Sequence, residues 1–223
     1  MDRGSLRAAQ SLSILHVTPH FTPSSAGLTT VIRSLGKWET LSGHRVSVAT
    51  FFPYPNVYGY VSWPETDVPS EILEGLRVER FRQREVELSV GSRWGVRRTL
   101  LRQQARRALF AELSGRLEDV DLDVVHVAGL SGLTFAAARL ARERGIPWVL
   151  SLYGEEFVRF EGPPAGVTDR LKRRLSLLRL GWLLADCAGI TASGRHLGAM
   201  VRDLGLRPEA PFIPNGVDVD VVT

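Results

Sequence analysis

Asp123-Val-Val-His-Val-Ala128 and, twenty residues on, Trp148-Val-Leu-Ser-Leu-Tyr153 decide the fold. Each is a short apolar run rich in branched side chains, as in strands buried in a sheet. Between them, residues 133–144 repeat apolar side chains at helical spacing and stop at Gly145 and Pro147. Strand, helix, strand over about 30 residues is a βαβ unit, whose two strands lie parallel.

The same alternation continues outward in both directions. Towards the amino end, residues 13–18 read as a strand stopped by Pro19. Residues 28–41 read as a helix with Leu28, Val31, Ile32, Leu35 and Trp38 on its core-facing stripe, ended by Gly43. Residues 44–50 form a second strand. Residues 53–70, with four prolines and three tyrosines, read as a long loop, and residues 76–81 alternate as a half-exposed strand. A basic helix is expected over about 94–117. Towards the carboxyl end come a helix at 168–184, a strand at 188–192, a helix at 196–204 and a last strand at 211–213. The pattern predicts a single doubly wound, Rossmann-like α/β domain over 13–214, with a mostly parallel sheet covered on both faces. Residues 1–12 are expected to be a disordered leader and 215–223 the start of an interdomain linker. Ligands in such folds bind beyond the carboxyl ends of the strands. That rule selects residues 19–27, 51–52, 128–129, 153–157, Ser193 and Asn215.

Composition removes several function classes. A chain of 223 residues can bury a real core, and no apolar run of membrane-spanning length occurs. The first ten residues lack the apolar region of a secretory signal. The single cysteine, Cys187, cannot form an internal disulfide, which predicts a reducing, cytoplasmic setting and a buried thiol. No His/Cys spacing suits zinc, so no metal is expected. Net charge is +4 and the only lysines are Lys37 and Lys172. Arginine suits phosphate and carboxylate recognition. No aromatic-basic interleaving or nucleic-acid motif is present, so no nucleic-acid partner is expected.

The loop Pro19-His-Phe-Thr-Pro-Ser-Ser-Ala-Gly27 joins the first strand to the first helix. Its glycine either eases a turn or lets an anion approach the helix amino terminus. No Gly-x-Gly-x-x-Gly follows, and Phe51-Phe52 stands where an acidic ribose ligand would lie; nor is there a Gly-Lys-Ser/Thr phosphate loop. His16 and His126 lie inside apolar strands, where a hydrogen-bonded core histidine is the first reading and a ligand contact the second. Glu155 and Glu156 either bond sugar hydroxyls or cap the next segment, and nothing marks them as a glycosidase pair. Arg93, Arg97, Arg98, Arg102, Arg106 and Arg107 crowd one helix, as a solvated face or a docking surface.

Five blocks in order carry a resemblance. Ile14-Leu-His-Val-Thr-Pro-His-Phe21 with Ala26-Gly27, Ser42-Gly-His-Arg-Val-Ser-Val-Ala-Thr50, Asp123-Val-Val-His126, Arg144-Gly-Ile-Pro-Trp-Val-Leu-Ser-Leu-Tyr-Gly154 and Ile213-Pro-Asn-Gly-Val-Asp218 resemble the acceptor-side, amino-terminal domain of the family 4 retaining glycosyltransferases of GT-B fold. The resemblance implies that the Gly27 amide, beside Ala26, approaches a donor diphosphate and that His20 faces the acceptor. It places Tyr153, as the catalytic candidate, where the family often has a histidine. A phenol there donates a hydrogen bond but shuttles protons poorly at neutral pH. His126, Glu155, Glu156, Ser193 and Asn215 complete the expected substrate-binding set. The resemblance further implies a sugar acceptor, a nucleotide diphosphate sugar as donor and no separate cofactor. The donor-binding second domain is expected to be missing here, so the chain alone is expected to be inactive without a complementary subunit. The arginine-rich helix would make peripheral contact at the inner membrane face. The competing expectation is a non-catalytic module of the same fold that binds a glycan, a sugar phosphate or a protein.

Overall fold

The structure is a computed structural model describing residues 11–24, 26–52, 67–82, 95–154, 164–206 and 210–215. Its elements run β1 (Ser13–Val17), α1 (Gly27–Leu41), β2 (Arg45–Phe51), β3 (Ser70–Leu73), β4 (Leu76–Phe81), α2 (Gly95–Arg116), β5 (Val124–Ala128), α3 (Gly132–Arg144), β6 (Trp148–Leu152), α4 (Val167–Leu184), β7 (Gly189–Ala192) and α5 (Arg195–Asp203). The strands form one sheet ordered β3-β4-β2-β1-β5-β6-β7. Only β3 is antiparallel, paired with β4; the other pairs are parallel. Winding goes outward from β1 through β2, then crosses back to β5. The strand order therefore reverses between β1 and β5, the point where doubly wound sheets open a crevice. The fold is the Rossmann-like α/β domain expected.

Strand alternation sorts the core into two layers. On one face Leu15, Val17, Val125, Val127 and Leu150 pack beneath α2, α3, α4 and α5. On the other, Val46, Val48, Leu76 and Val78 pack beneath Ile32 of α1. A fully buried aliphatic side chain of this kind contributes about 1.5–3 kcal/mol. The second face departs from expectation. α1 covers its β2–β4 half, whereas over β5, β6 and β7 the described residues leave it open. Hence β5 and β6 alternate in burial: Val125 and Val127 are buried while Val124 and His126 are only half-buried.

Four further readings are corrected. The apolar stripe of α1 splits: Ile32, with Thr29 and Gly36, is buried, but Leu35 and Trp38 are exposed. Gly36 is where helix and sheet meet most closely, since a Cβ there would lie 3.1 Å from Leu76. β4 is not half-exposed. Glu79 and Arg80 are buried because partners neutralise them: Arg77 and Arg116 for Glu79, Glu71 for Arg80. β3 starts at the last residue of the expected loop and is not among the expected strands, and it is joined to β4 by a two-residue turn at Glu74-Gly75 with φ of 52° and 83°. Such positive pairs match the twist of a hairpin. Finally, residues 211–213 form no full strand; Phe212 makes one bridge to Ala192. Residues 53–66 and most of the leader lie outside the described residues, although Leu12 accepts from Arg45 N at 2.8 Å.

Candidate functional site

Two places beside the crevice bring expected residues together. The first is the β1–α1 loop. Thr18 Oγ1 donates to the His20 carbonyl at 3.0 Å, and Phe21 is buried as an anchor. Buried Arg80 donates to the Thr22 carbonyl at 2.9 Å, tying the loop to β4. Ala26 is the N-cap of α1, and no side chain caps the helix there. No acidic residue stands in the first turn; the Thr29 amide donates to the Ala26 carbonyl at 2.9 Å, while the amides of Gly27 and Leu28 keep their donors and the partial positive charge of the helix end. Gly27 is exposed, its φ lies outside the left-handed region, and a Cβ would meet nothing within 4 Å. Within the described residues, then, neither turn geometry nor crowding requires a glycine at this position.

The second place is a cavity of about 690 Å³ on the uncovered half-face of the sheet. Val31, Leu35 and Trp38 of α1 form one wall, and Ile213, Pro214 and Asn215 close the other side. His126, Tyr153, Ser193 and Asn215 all line it. His20, Ala26 and Gly27 do not. Glu155 and Glu156 lie outside the described residues. Tyr153 is half-buried and packs against the cluster that holds Phe21 and Ala128. It follows the last residue of β6, and Gly154 turns the chain away at φ of 119°.

The cavity floor carries a polar chain that sequence alone did not reveal. His16 Nε2 lies 2.5 Å from a Glu39 carboxylate oxygen, and His16 Nδ1 lies 2.8 Å from His126 Nδ1. His126 Nε2 lies 2.8 Å from Ser151 Oγ, which lies 2.7 Å from Thr191 Oγ1. With one proton on each imidazole, every donor is fixed by its neighbour. Glu39 can only accept, so His16 donates from Nε2; His126 then donates from Nδ1, Ser151 donates to His126, and Thr191 donates to Ser151. Five residues from α1 and four adjacent strands thus form one directed chain. Both ring nitrogens of His126 are used within the protein, as the core-histidine reading expects. Burial, and next the neighbouring His16, push the His126 imidazole down to about 3. It is therefore neutral at physiological pH.

The remaining candidates are placed more simply. Cys187 is buried. Of the arginine-rich helix, Arg93 and the side chains of Arg97, Arg98 and Arg102 lie outside what the structure describes. Arg106 is stacked 4.6 Å over Phe135 and Arg107 is exposed. Among the described residues no group of His, Cys, Asp or Glu could hold a metal, and no helix is long and apolar enough to cross a membrane.

Comparison with known proteins agrees with the fold. The chain is similar to the catalytic domain of starch synthase IV from Arabidopsis thaliana bound to ADP and acarbose, with a TM-score of 0.56 and 16% identity over 95% of this chain and 53% of that one. It is also similar to an alpha,alpha-trehalose-phosphate synthase (UDP-forming) from Burkholderia vietnamiensis, with a TM-score of 0.51 and 11% identity over 88% of this chain and 44% of that one. The chain thus spans about half the length of these structures. Among curated proteins nothing matches. The family model of the glycosyl transferase 4-like domain matches residues 26–216, and the chain belongs to that glycosyltransferase family, with the Rossmann-like half of a GT-B fold.

Proposed function

We propose that this chain is the acceptor-side domain of a retaining, nucleotide-sugar-dependent glycosyltransferase. The observation that carries the reading is the amino end of α1 at Ala26-Gly27, which has no side-chain cap, lies beside the switch between β1 and β5, and has no described atom within 4 Å of where a Gly27 Cβ would stand. Exposed helix amides favour a diphosphate. The family match and the ADP held by the starch synthase neighbour support this choice of anion. In this reading the Gly27 amide approaches the donor diphosphate, and His20 faces the sugar acceptor. Tyr153 donates a hydrogen bond to the transferring sugar or the acceptor, with Ser193, Asn215 and the His126 edge lining the adjoining wall. Donor and acceptor must be held in register for transfer. A second domain, on the same or another polypeptide, therefore supplies the remaining donor contacts, and this chain alone has no turnover. In this reading no metal is expected, and the α1 amides meet part of the diphosphate charge.

The test is reconstitution. The chain, joined to or mixed with a family donor domain, is assayed for nucleotide diphosphate release from a nucleotide sugar with an acceptor present. Turnover by the pair, none by the chain alone, and a sharp loss in a folded Gly27→Val variant are expected. Turnover by the chain alone, or full activity in Gly27→Val, refutes the reading.

A further inference from the structure

α4 carries an apolar strip that the fold does not bury. Val167, Leu171, Leu175, Leu178 and Trp182 recur every three or four residues, so they share one side of the helix. They are 80, 57, 46, 63 and 63% exposed. The helix is held to the sheet from its opposite side by Leu180, Leu183 and Leu184. At 3.6 residues per turn, Arg170 and Arg174 fall along one flank of the strip and Lys172 and Arg179 along the other. All four are exposed. The one acid of α4, Asp169, lies towards the inner side and takes Arg173 at 3.0 Å. The outward face is therefore an apolar band edged on both sides by cations, with no carboxylate of the helix on it.

A band of this size on a protein surface marks a contact. A second copy of the chain is a poor fit, because pairing two such helices sets rows of like charge against each other. An anionic lipid surface suits both parts. The band enters the boundary between headgroups and acyl chains, while the long Arg and Lys stems reach up to the phosphates. Eighteen residues make a helix about 27 Å long, able to lie flat. Trp182, with the Arg142 guanidinium 4.6 Å over its ring, keeps most of its surface free at one end, a side chain suited to that boundary.

We propose that α4 is a peripheral membrane-docking helix that lays this band into an anionic bilayer. The proposal needs only the residues of α4 and stands apart from the glycosyltransfer reading. It also differs from docking through α2, where Leu109 and Leu113 are buried in the core.

Flotation of the purified protein with vesicles tests it. The protein is expected to float with phosphatidylcholine–phosphatidylglycerol vesicles and not with phosphatidylcholine alone. Added salt weakens the binding. Leu171→Gln with Leu178→Gln lowers partitioning at least about tenfold. Arg170→Gln with Arg174→Gln lowers it by up to about fivefold per charge. Arg97→Gln with Arg98→Gln leaves it unchanged. All substituted α4 positions are exposed, and circular dichroism verifies folding; if the leucine variant does not fold, the charge variant decides. The proposal is overturned if the wild type floats with neither vesicle, or if the α4 variants bind as the wild type does. Loss confined to the α2 variant overturns it too, as does a band-dependent dimer with no vesicle binding.

Discussion

Acidification should weaken the fold through His126. Its imidazole sits on the cavity floor, bonded to His16 and Ser151, and is pushed down to about 3 by burial and by His16. In the unfolded chain the same ring titrates near 6.5. Between those values the unfolded state takes up a proton that the folded state refuses, so lowering pH favours unfolding. Stability is greatest above about pH 6.5 and falls by about 1.4 kcal/mol per unit towards pH 3. From pH 8 to pH 5 the loss is about 2 kcal/mol, equivalent to about 4–8 °C in Tm for a domain of this size. The Glu74 carboxylate, lowered by its hydrogen bond with Arg33, loses its contribution only below about 4.5, outside that window. Urea denaturation followed by circular dichroism at pH 8 and pH 5 measures the loss. His126→Asn keeps an N–H towards His16 but cannot titrate, so it should remove most of the difference. Equal stability of the wild type at the two pH values, or an equal loss in His126→Asn, would refute the reasoning.

Gly36→Leu should cost about 1–3 kcal/mol by overpacking, since the new side chain meets Leu76 at once, whereas Gly115→Ala in open helical surroundings should gain up to about 1 kcal/mol; thermal melts check both. Arg80→Leu removes the partner of Glu71 and the bond to the Thr22 carbonyl. Glu71 stays about a third exposed, so the cost should be about 3 kcal/mol, the lower end for a broken buried pair, and a loss under 1 kcal/mol in urea titration would contradict it. In a reconstituted enzyme, Tyr153→Phe should cost about 0.5–1.5 kcal/mol in kcat/KM, or about 1.5–3 if the phenol meets a charged phosphate. A loss of 100-fold to 10,000-fold with a vanished bell-shaped pH profile would instead make it a proton donor or acceptor.

Much of this fold was legible because its strands are apolar runs and its helices end on glycines that take left-handed geometry, such as Gly43 and Gly145. β3 escaped notice because a four-residue edge strand with alternate positions exposed, the apolar Ile72 among them, buries too little to leave a pattern. The burial of β4 was hidden because Glu79 and Arg80 read as surface residues until Arg116, more than thirty residues away, is known to be beside them. α1 was misread because periodicity reports which residues share a side, not whether the sheet beneath continues. The cavity chain was the least legible feature. His16, His126, Ser151 and Thr191 touch only because β1, β5, β6 and β7 pair in one register, and register between parallel strands joined by long crossovers leaves no mark in a single sequence.

The central place of β1 also has a consequence during synthesis. Its first residue, Ser13, is anchored by Asp123, 110 residues later, and one whole edge of β1 is completed only by β5. At about 5–20 residues per second, a ribosome makes that partner about 5–20 s after β1 emerges. For that interval β1, β2 and the hairpin after them can pair only among themselves, with the unpaired backbone edge of β1 open to other nascent chains. Cellular yield should therefore depend on holdase chaperones, and slowing translation before residue 124 should lengthen the exposure rather than aid folding.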